Sequence, residues 1–341
     1  MIQIRTDKLD YKSIALKILG VIWFADGLLQ LQPYMFSKKF ATDMLAGTAQ
    51  GQPHFVESTV TGIANFLTPH IAIWNALFAI IQLAIGLGIL YKRTVKLSLL
   101  VSFAWVFGVW WFGEAFGQVF SGNATLLTGA PGAVLLYGLI GLILWPRTNE
   151  HIESERFGQE SDSPNKMFSI SSQSVLNEMA IKLMWMLVWV IDGVLQFLPS
   201  NSGKGDLVNL LQNQAGGEPG FFAFMNNHLA SLVQNHGVQV AIAMGILEII
   251  IGVGVFLKRQ NYFVITGLIF SLVVWIGVQD MGGIFTGQGT DPNLGLLLAL
   301  FAFCLISFKV QRPEATVDNT VNLEATGQRG LAGKISFKNA N

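Results

Sequence analysis

Eight apolar runs mark the chain, near residues 13–33, 70–91, 97–117, 131–146, 179–199, 236–257, 262–280 and 294–309, with short polar or basic breaks between them. Most reach the roughly 20 residues that carry a helix across a hydrocarbon core. The two shortest, 131–146 and 294–309, need their flanks or a thinned bilayer. The pattern predicts an all-α, polytopic membrane protein of eight transmembrane helices. Helices packed into the core of a soluble protein would leave charged faces between them, and these runs show none.

Composition agrees. Apolar residues make up 52% of the chain and charged residues 12%, about half the charge usual in a soluble domain. Basic residues orient the spans. Alternate breaks hold Arg5, Lys8, Lys12 and Lys17, then Lys92, Arg93 and Lys96, then Arg147, Arg156, Lys166 and Lys182, then Lys258 and Arg259, and finally Lys309, Arg312, Arg329, Lys334 and Lys338. The opposite breaks hold only Lys38, Lys39 and Lys204 of the chain's 21 basic residues. Positive residues stay inside, so the first set, and with it both termini, is expected on the cytoplasmic face of a plasma membrane. The first run follows Arg5, Asp7, Lys8, Asp10 and Lys12, is long, and ends in Pro33. It reads as a span rather than a cleavable signal. A net charge of zero gives no pointer to nucleic acid. The expected partners are the lipid bilayer, membrane proteins such as a redox-enzyme subunit, and small molecules. Cys304 is the only cysteine and lies in the last run, which excludes disulfide or thiol-pair chemistry within one chain.

The chain repeats itself. Residues 18–33 (ILGVIWFADGLLQLQP) return at 184–199 (MWMLVWVIDGVLQFLP), an offset of 166 that pairs Trp23, Asp26, Gly27, Gln30 and Pro33 with Trp189, Asp192, Gly193, Gln196 and Pro199. The same offset pairs Gly51, Pro53, Phe55, His70, Gly86 and Arg93 with Gly217, Pro219, Phe221, His236, Gly252 and Arg259. A one-residue shift then pairs Trp110, Gly117, Phe120, Gly122 and Thr125 with Trp275, Gly282, Phe285, Gly287 and Thr290. Four spans per unit is an even number, so the two units are expected to lie parallel, related by an axis along the membrane normal. The organisation expected is a first four-helix repeat at 1–146, a cytoplasmic linker at 147–178, a second repeat at 179–310 and a polar tail at 311–341.

Segments 34–69 and 200–235 keep their register across the repeat, which free loops do not. They are expected to be helical extracytoplasmic caps, with Phe55, Val56, Val60, Ile63 and Phe66, and Leu207, Leu210 and Leu211, at helical spacing. Pro69 after Thr68, Asn235 before the sixth run, and Asp291–Pro292 before the eighth all resemble helix starts.

Ionisable residues inside spans are costly and are functional candidates for that reason. Trp23, Asp26 and Gln30, and their counterparts Trp189, Asp192 and Gln196, are spaced by three and four and so share a helix face. Glu114 and Gln118, and Gln279 and Asp280, fall toward the same outer side, where His70 and His236 also begin their runs. Together they suggest a polar ligand-binding pocket, or one per repeat, opening outward beneath the caps. His70 and His236 beside carboxylates are candidate metal ligands, without any HExxH-like spacing. The alternative is that each carboxyl serves as hydrogen-bonding glue between helices. Glu248 is separate: it lies near mid-membrane, and its repeat partner is Gln82.

The run GILEIIIGVGVFLKRQNYFVITG at 245–267 resembles the second span and following turn of DoxX-like four-helix membrane proteins, with a Glu, spaced glycines and a short basic turn. AIIQLAIGLGILYKRT at 79–94 is similar except that Gln82 replaces the Glu. The resemblance implies a four-helix unit, here in tandem, and for some members an association with quinone-linked sulfur oxidation or redox stress. The WxxDGxLQxxP pattern stands outside it. The first functional expectation is therefore a membrane component with an outer polar pocket linked to quinone or redox chemistry, with a quinone or metal as candidate ligand. A transporter or a cation or proton pathway is the second, and a non-catalytic assembly or scaffold protein the third.

Overall fold

The computed structural model describes residues 11–146, 176–203 and 205–310. Arg5, Lys8, Arg147, Arg156, Lys166, Lys204, Arg312, Arg329, Lys334, Lys338, the side chain of Lys309, most of the linker and the tail lie outside the described residues. Among those described there are twelve α-helices and no strand: α1 (Tyr11–Leu29), α2 (His54–Leu67), α3 (Ile71–Leu90), α4 (Val95–Gly108), α5 (Ala133–Ile143), α6 (Glu178–Gln196), α7 (Pro199–Ser202), α8 (Asp206–Ala215), α9 (Gly220–Val233), α10 (Gly237–Gly254), α11 (Gln260–Gly277) and α12 (Asn293–Val310). Four helical stretches are long and apolar enough to cross a membrane: His54–Leu90, Val95–Gly113, Gly237–Gly254 and Gln260–Gly277.

Glycines set the tightest contacts. A Cβ on Gly86 of α3 would run into the backbone of Phe24 on α1, and one on Gly27 would meet Leu83. On the other pair, Gly193 of α6 lies against Gly245 and Ile249 of α10, and Gly252 lies against Trp189 and Met186. Small residues let apolar helices approach closely, and dispersion then does what hydrophobicity cannot do inside a bilayer. The short helix α5 and the last helix α12 pack against each other, and α12 also touches α1 and α6. Their side chains are the most enclosed of all, including Leu136, Ile140, Leu297, Leu298 and Phe301.

The segments between the first two long helices of each half are helical. Pro33–Ala49 forms short 3-10 and π turns before α2, and α7, α8 and α9 fill 199–233. Within α2, Val56 and Val60 are enclosed as the spacing predicts, whereas Phe55 and Phe66 point outward. The predicted helix starts need correction. Thr68 does not cap α3: its hydroxyl donates to the Ala64 carbonyl at 2.6 Å, and the chain runs from α2 through a 3-10 turn into α3 without a break. His236, not Asn235, occupies the residue before α10. Asp291 does accept a bond from the Asn293 N–H at 2.7 Å, but Pro292 stays outside α12, which begins at Asn293 with φ +64°.

The apolar run at 97–117 also ends early, at Gly113. Ala115, Phe116, Gly117 and Gln118 all take positive φ, and so, 165 residues later, do Asp280, Met281, Gly282 and Gly283. A left-handed conformation costs a non-glycine residue about 1–2 kcal/mol, so each turn must be held from outside. The same bonds hold both. The Trp110 indole donates to the Pro131 carbonyl at 2.8 Å, and Trp275 donates to Pro292 at 2.6 Å. A Glu114 oxygen accepts from the Val134 N–H at the start of α5 (3.0 Å), and the Gln279 oxygen accepts from Gly295 at the start of α12 (2.9 Å). Helix N-termini present unpaired N–H groups, and these side chains supply the acceptors. Glycine at 117 and 282 is a steric requirement, because a Cβ at either would overlap the backbone at 131–132 or 291–292.

Candidate functional site

A cavity of about 580 Å³ lies inside the first half, between α1, α3, α4 and α5 and beneath the segment at 40–67. Its size falls within the range of small-molecule sites. One end is aromatic and apolar: Phe40, Phe66, Trp74, Phe78, Trp105 and Phe112. Phe66 and Ala104 are exposed there, so the cavity reaches the protein surface between α3 and α4. The other end is polar and enclosed. Trp23, Asp26, Gln30, Gln82 and Tyr137 line it and are each less than 7% exposed.

Sequence and local fold bring these groups together for simple reasons. Trp23, Asp26 and Gln30 follow the spacing of one helical face, and the tight α1–α3 contact at Gly27 and Gly86 sets that face beside Gln82. Tyr137 comes from α5. Its hydroxyl donates to Asp26 Oδ2 at 2.5 Å, and its ring stands 4.5 Å from that of Trp23. Glu114 arrives just before the left-handed turn. One of its oxygens caps α5, while the other is buried and unpartnered. Also buried without a protein partner are Asp26 Oδ1, Gln30 Oε1 and Trp23 Nε1. Buried polar atoms are normally satisfied, so this concentration around one cavity is a mark of a site.

The third carboxyl comes from the other half. The segment at 282–293 enters the first-half cavity and brings Gln288, Thr290 and Asp291 to its wall. Gln32 Nε2 holds it through the Gly289 carbonyl at 3.1 Å. The exchange runs both ways. Gln279 Nε2 donates to the Leu126 carbonyl at 2.7 Å, and the Asn201 amide reaches the carbonyls of Gly122 and Ala124 at 3.2 and 3.1 Å.

Glu114 lies just past the end of its long helical stretch. Burial, reinforced by repulsion from Asp291 and opposed by the Val134 N–H, raises its pKa to about 8. Burial also raises Asp291, against the pull of its bonds from Thr290 and Asn293. Among the described residues no Lys, Arg or His lines the cavity.

Of the residues singled out in the sequence, Trp23, Asp26, Gln30 and Glu114 meet in this cavity. Trp189, Asp192, Gln196 and Glu248 do not; they form a separate, fully enclosed group where α6 meets α10. Both oxygens of Asp192 and of Glu248 lack a protein partner. Asp280 is elsewhere again, accepting from Asn226 Nδ2 of α9 at 2.6 Å. His70 and His236 are exposed at the starts of α3 and α10, outside the cavity. Among the described residues no three His, Cys, Asp or Glu side chains are grouped to hold a metal ion. Tyr137, Gln82 and Asp291 are site residues that the sequence reading did not single out as such. Tyr137 carries a signal in hindsight, as a lone phenol in an otherwise apolar run, whereas Asp291 reads only as a helix cap.

No protein-family model matches this chain, and no curated protein or solved structure matches it either.

Proposed function

We propose that this chain is an eight-span plasma-membrane protein, two parallel DoxX-like four-helix units with both termini cytoplasmic, and that it binds a small amphipathic molecule in its first-half cavity. The eight-span reading is supported by α1 and α6, 19 residues each, long enough for roughly 28 Å at 1.5 Å per residue. It is supported too by the recurrence of the left-handed turn and its bonds at equivalent positions. The four long apolar stretches are then the second and third spans of each unit.

The observation that carries the ligand reading is the division of the cavity. An aromatic mouth opens between two apolar helices, and an enclosed end collects Asp26, Tyr137, Glu114 and Asp291, with four unpartnered polar atoms, Trp23 Nε1, Asp26 Oδ1, Gln30 Oε1 and Glu114 Oε2. That arrangement takes an apolar body at the mouth and a polar head at the enclosed end. A role in membrane redox chemistry belongs to this reading as one class of ligand, a quinone whose carbonyls would accept from the Trp23 indole and a protonated Glu114. Carriage of a cation is the second class, and it is favoured because the ionisable lining groups, among the described residues, are Asp26, Glu114, Asp291 and Tyr137, with no Lys, Arg or His.

Gly108 tests the reading directly, because it lines the cavity and a Cβ there meets nothing within 4 Å. Gly108→Trp therefore adds an indole to the cavity wall from a position whose first side-chain atom meets no neighbour. Native mass spectrometry of the protein in mild detergent is expected to show a small bound molecule on the wild type and none on Gly108→Trp. Equal occupancy of both proteins would remove the cavity from the function.

A further inference from the structure

Resting on the reading of the cavity as a ligand site, we infer that its ligand carries a permanent or protonated positive charge: an organic ammonium with an apolar, aromatic-sized body. Three features point the same way. First, Asp26 from α1, Glu114 from just before the left-handed turn and Asp291 from the other half all line the cavity, and among the described residues that line it there is no Lys, Arg or His. Second, Trp23, Trp74, Trp105, Phe78 and Tyr137 surround the space, and aromatic faces attract organic cations, more strongly where water is excluded. Third, Gln30, only 5% exposed and on the cavity wall, has a carbonyl oxygen without a partner, as does Asp26 Oδ1. These are acceptors waiting for a donor or a cation. A neutral ligand rich in carbonyls would leave them unpaired.

The protonation of the site separates this ligand class from a quinone. Glu114 titrates at about 8 in the free cavity, with Asp26, Asp291 and the Tyr137 hydroxyl as the other titratable groups facing it. A cation binds the ionised carboxylate, so binding expels a proton and tightens as pH rises toward 8. From pH 6 to pH 8 a single such proton gives about a fiftyfold gain in affinity. A quinone accepts hydrogen bonds from the protonated acid, so its affinity falls as pH rises through the same range.

The test uses the full chain in lipid nanodiscs and three probes: benzyltrimethylammonium, its neutral isostere neopentylbenzene, and a short-chain benzoquinone. Benzyltrimethylammonium does not titrate, so any pH slope belongs to the protein. The expected result is that it binds at least tenfold tighter than the isostere, with affinity rising from pH 6 to 8. Glu114→Gln abolishes the pH slope, and Asp291→Asn weakens binding at least tenfold. If either variant fails to fold, the wild-type pH profile and the isostere comparison decide alone. Equal binding of the isostere, or quinone binding that weakens with pH while the ammonium does not bind, overturns the charge assignment and leaves the cavity as a site. If no probe binds and Gly108→Trp changes nothing, the ligand site itself is refuted.

Discussion

The bond between Tyr137 and Asp26 joins α5 to α1 at the enclosed end of the cavity, and its strength decides whether Asp26 is part of an organised site or ordinary glue. The separation of 2.5 Å is that of a hydroxyl donating to a carboxylate oxygen. Both residues are at most 3% exposed, so little solvent competes. Hydrogen bonds to a charged group are worth about 1.5–3 kcal/mol. Polar pairs between membrane helices average about 0.6 kcal/mol and reach about 1.7. With Asp26 ionised the expected coupling between the two side chains is about 1.5–3 kcal/mol, at or above the upper end for simple glue, and with Asp26 protonated it is about 0.5–1.5 kcal/mol. It is measured by a double-mutant cycle of wild type, Asp26→Ala, Tyr137→Phe and the double variant, from reversible unfolding in mixed micelles. The cycle cancels the space left by the alanine. A coupling below about 0.5 kcal/mol would refute the claim that this pair is an organised element of the site.

With Pro292 aligned on Pro131, as the bonds from Trp275 and Trp110 align them, Leu298 stands where Tyr137 does, and Asp192 has no hydrogen-bond partner on either oxygen. Asp192→Asn should therefore leave thermal stability unchanged or raise it, whereas Asp26→Asn should lower it; the reverse order would contradict the assigned pairing. Gly86→Ala pushes into the Phe24 backbone and should cost about 1–3 kcal/mol. Gly62→Ala, in the interior of α2 with nothing within 4 Å, should be neutral or stabilising by up to about 1 kcal/mol, as unfolding midpoints will show. Burial raises the pKa of Asp280 to about 6, against its bond from Asn226. A raised carboxyl favours the fold while protonated, so stability should fall by roughly 2 kcal/mol between pH 4 and pH 6 and then level off. Asp280→Asn should flatten that profile, and an unchanged profile would assign the titration to another group. For topology, single cysteines placed at Lys38 and Arg259 in a Cys304→Ser background should react with an impermeant maleimide from opposite sides of the membrane; labelling from one side would break the eight-span reading.

Periodicity made one side of the site legible. The spacing of Trp23, Asp26 and Gln30 placed them on one face; that α3 packs against it at Gly27 and Gly86 came from the structure. Glu114 was visible as a charge at the end of an apolar run. Asp291 was not, because it reaches the cavity only through an exchange of segments between the halves, and nothing local in its sequence encodes that crossing. The left-handed turns were hidden for a related reason: Ala115, Phe116 and Met281 have no preference for positive φ, and the Trp–carbonyl and helix-capping bonds that hold them are long-range. The two halves also differ at the site. Leu298 in place of Tyr137 and Gln279 in place of Glu114 remove the partners that organise the first-half cavity, so the motif recurs in the second half within a different chemical setting.

The most direct test of the central claim is a cryo-electron microscopy map of the wild-type protein in nanodiscs, resolved well enough to show side chains between α3 and α4. Compact non-protein density is expected, with its head within hydrogen-bonding distance of Asp26, Glu114 and Asp291 and its body against Trp74, Phe78 and Trp105. A cavity closed by collapse of α3 onto α4, or filled only by a phospholipid chain that avoids the three carboxyls, would contradict it.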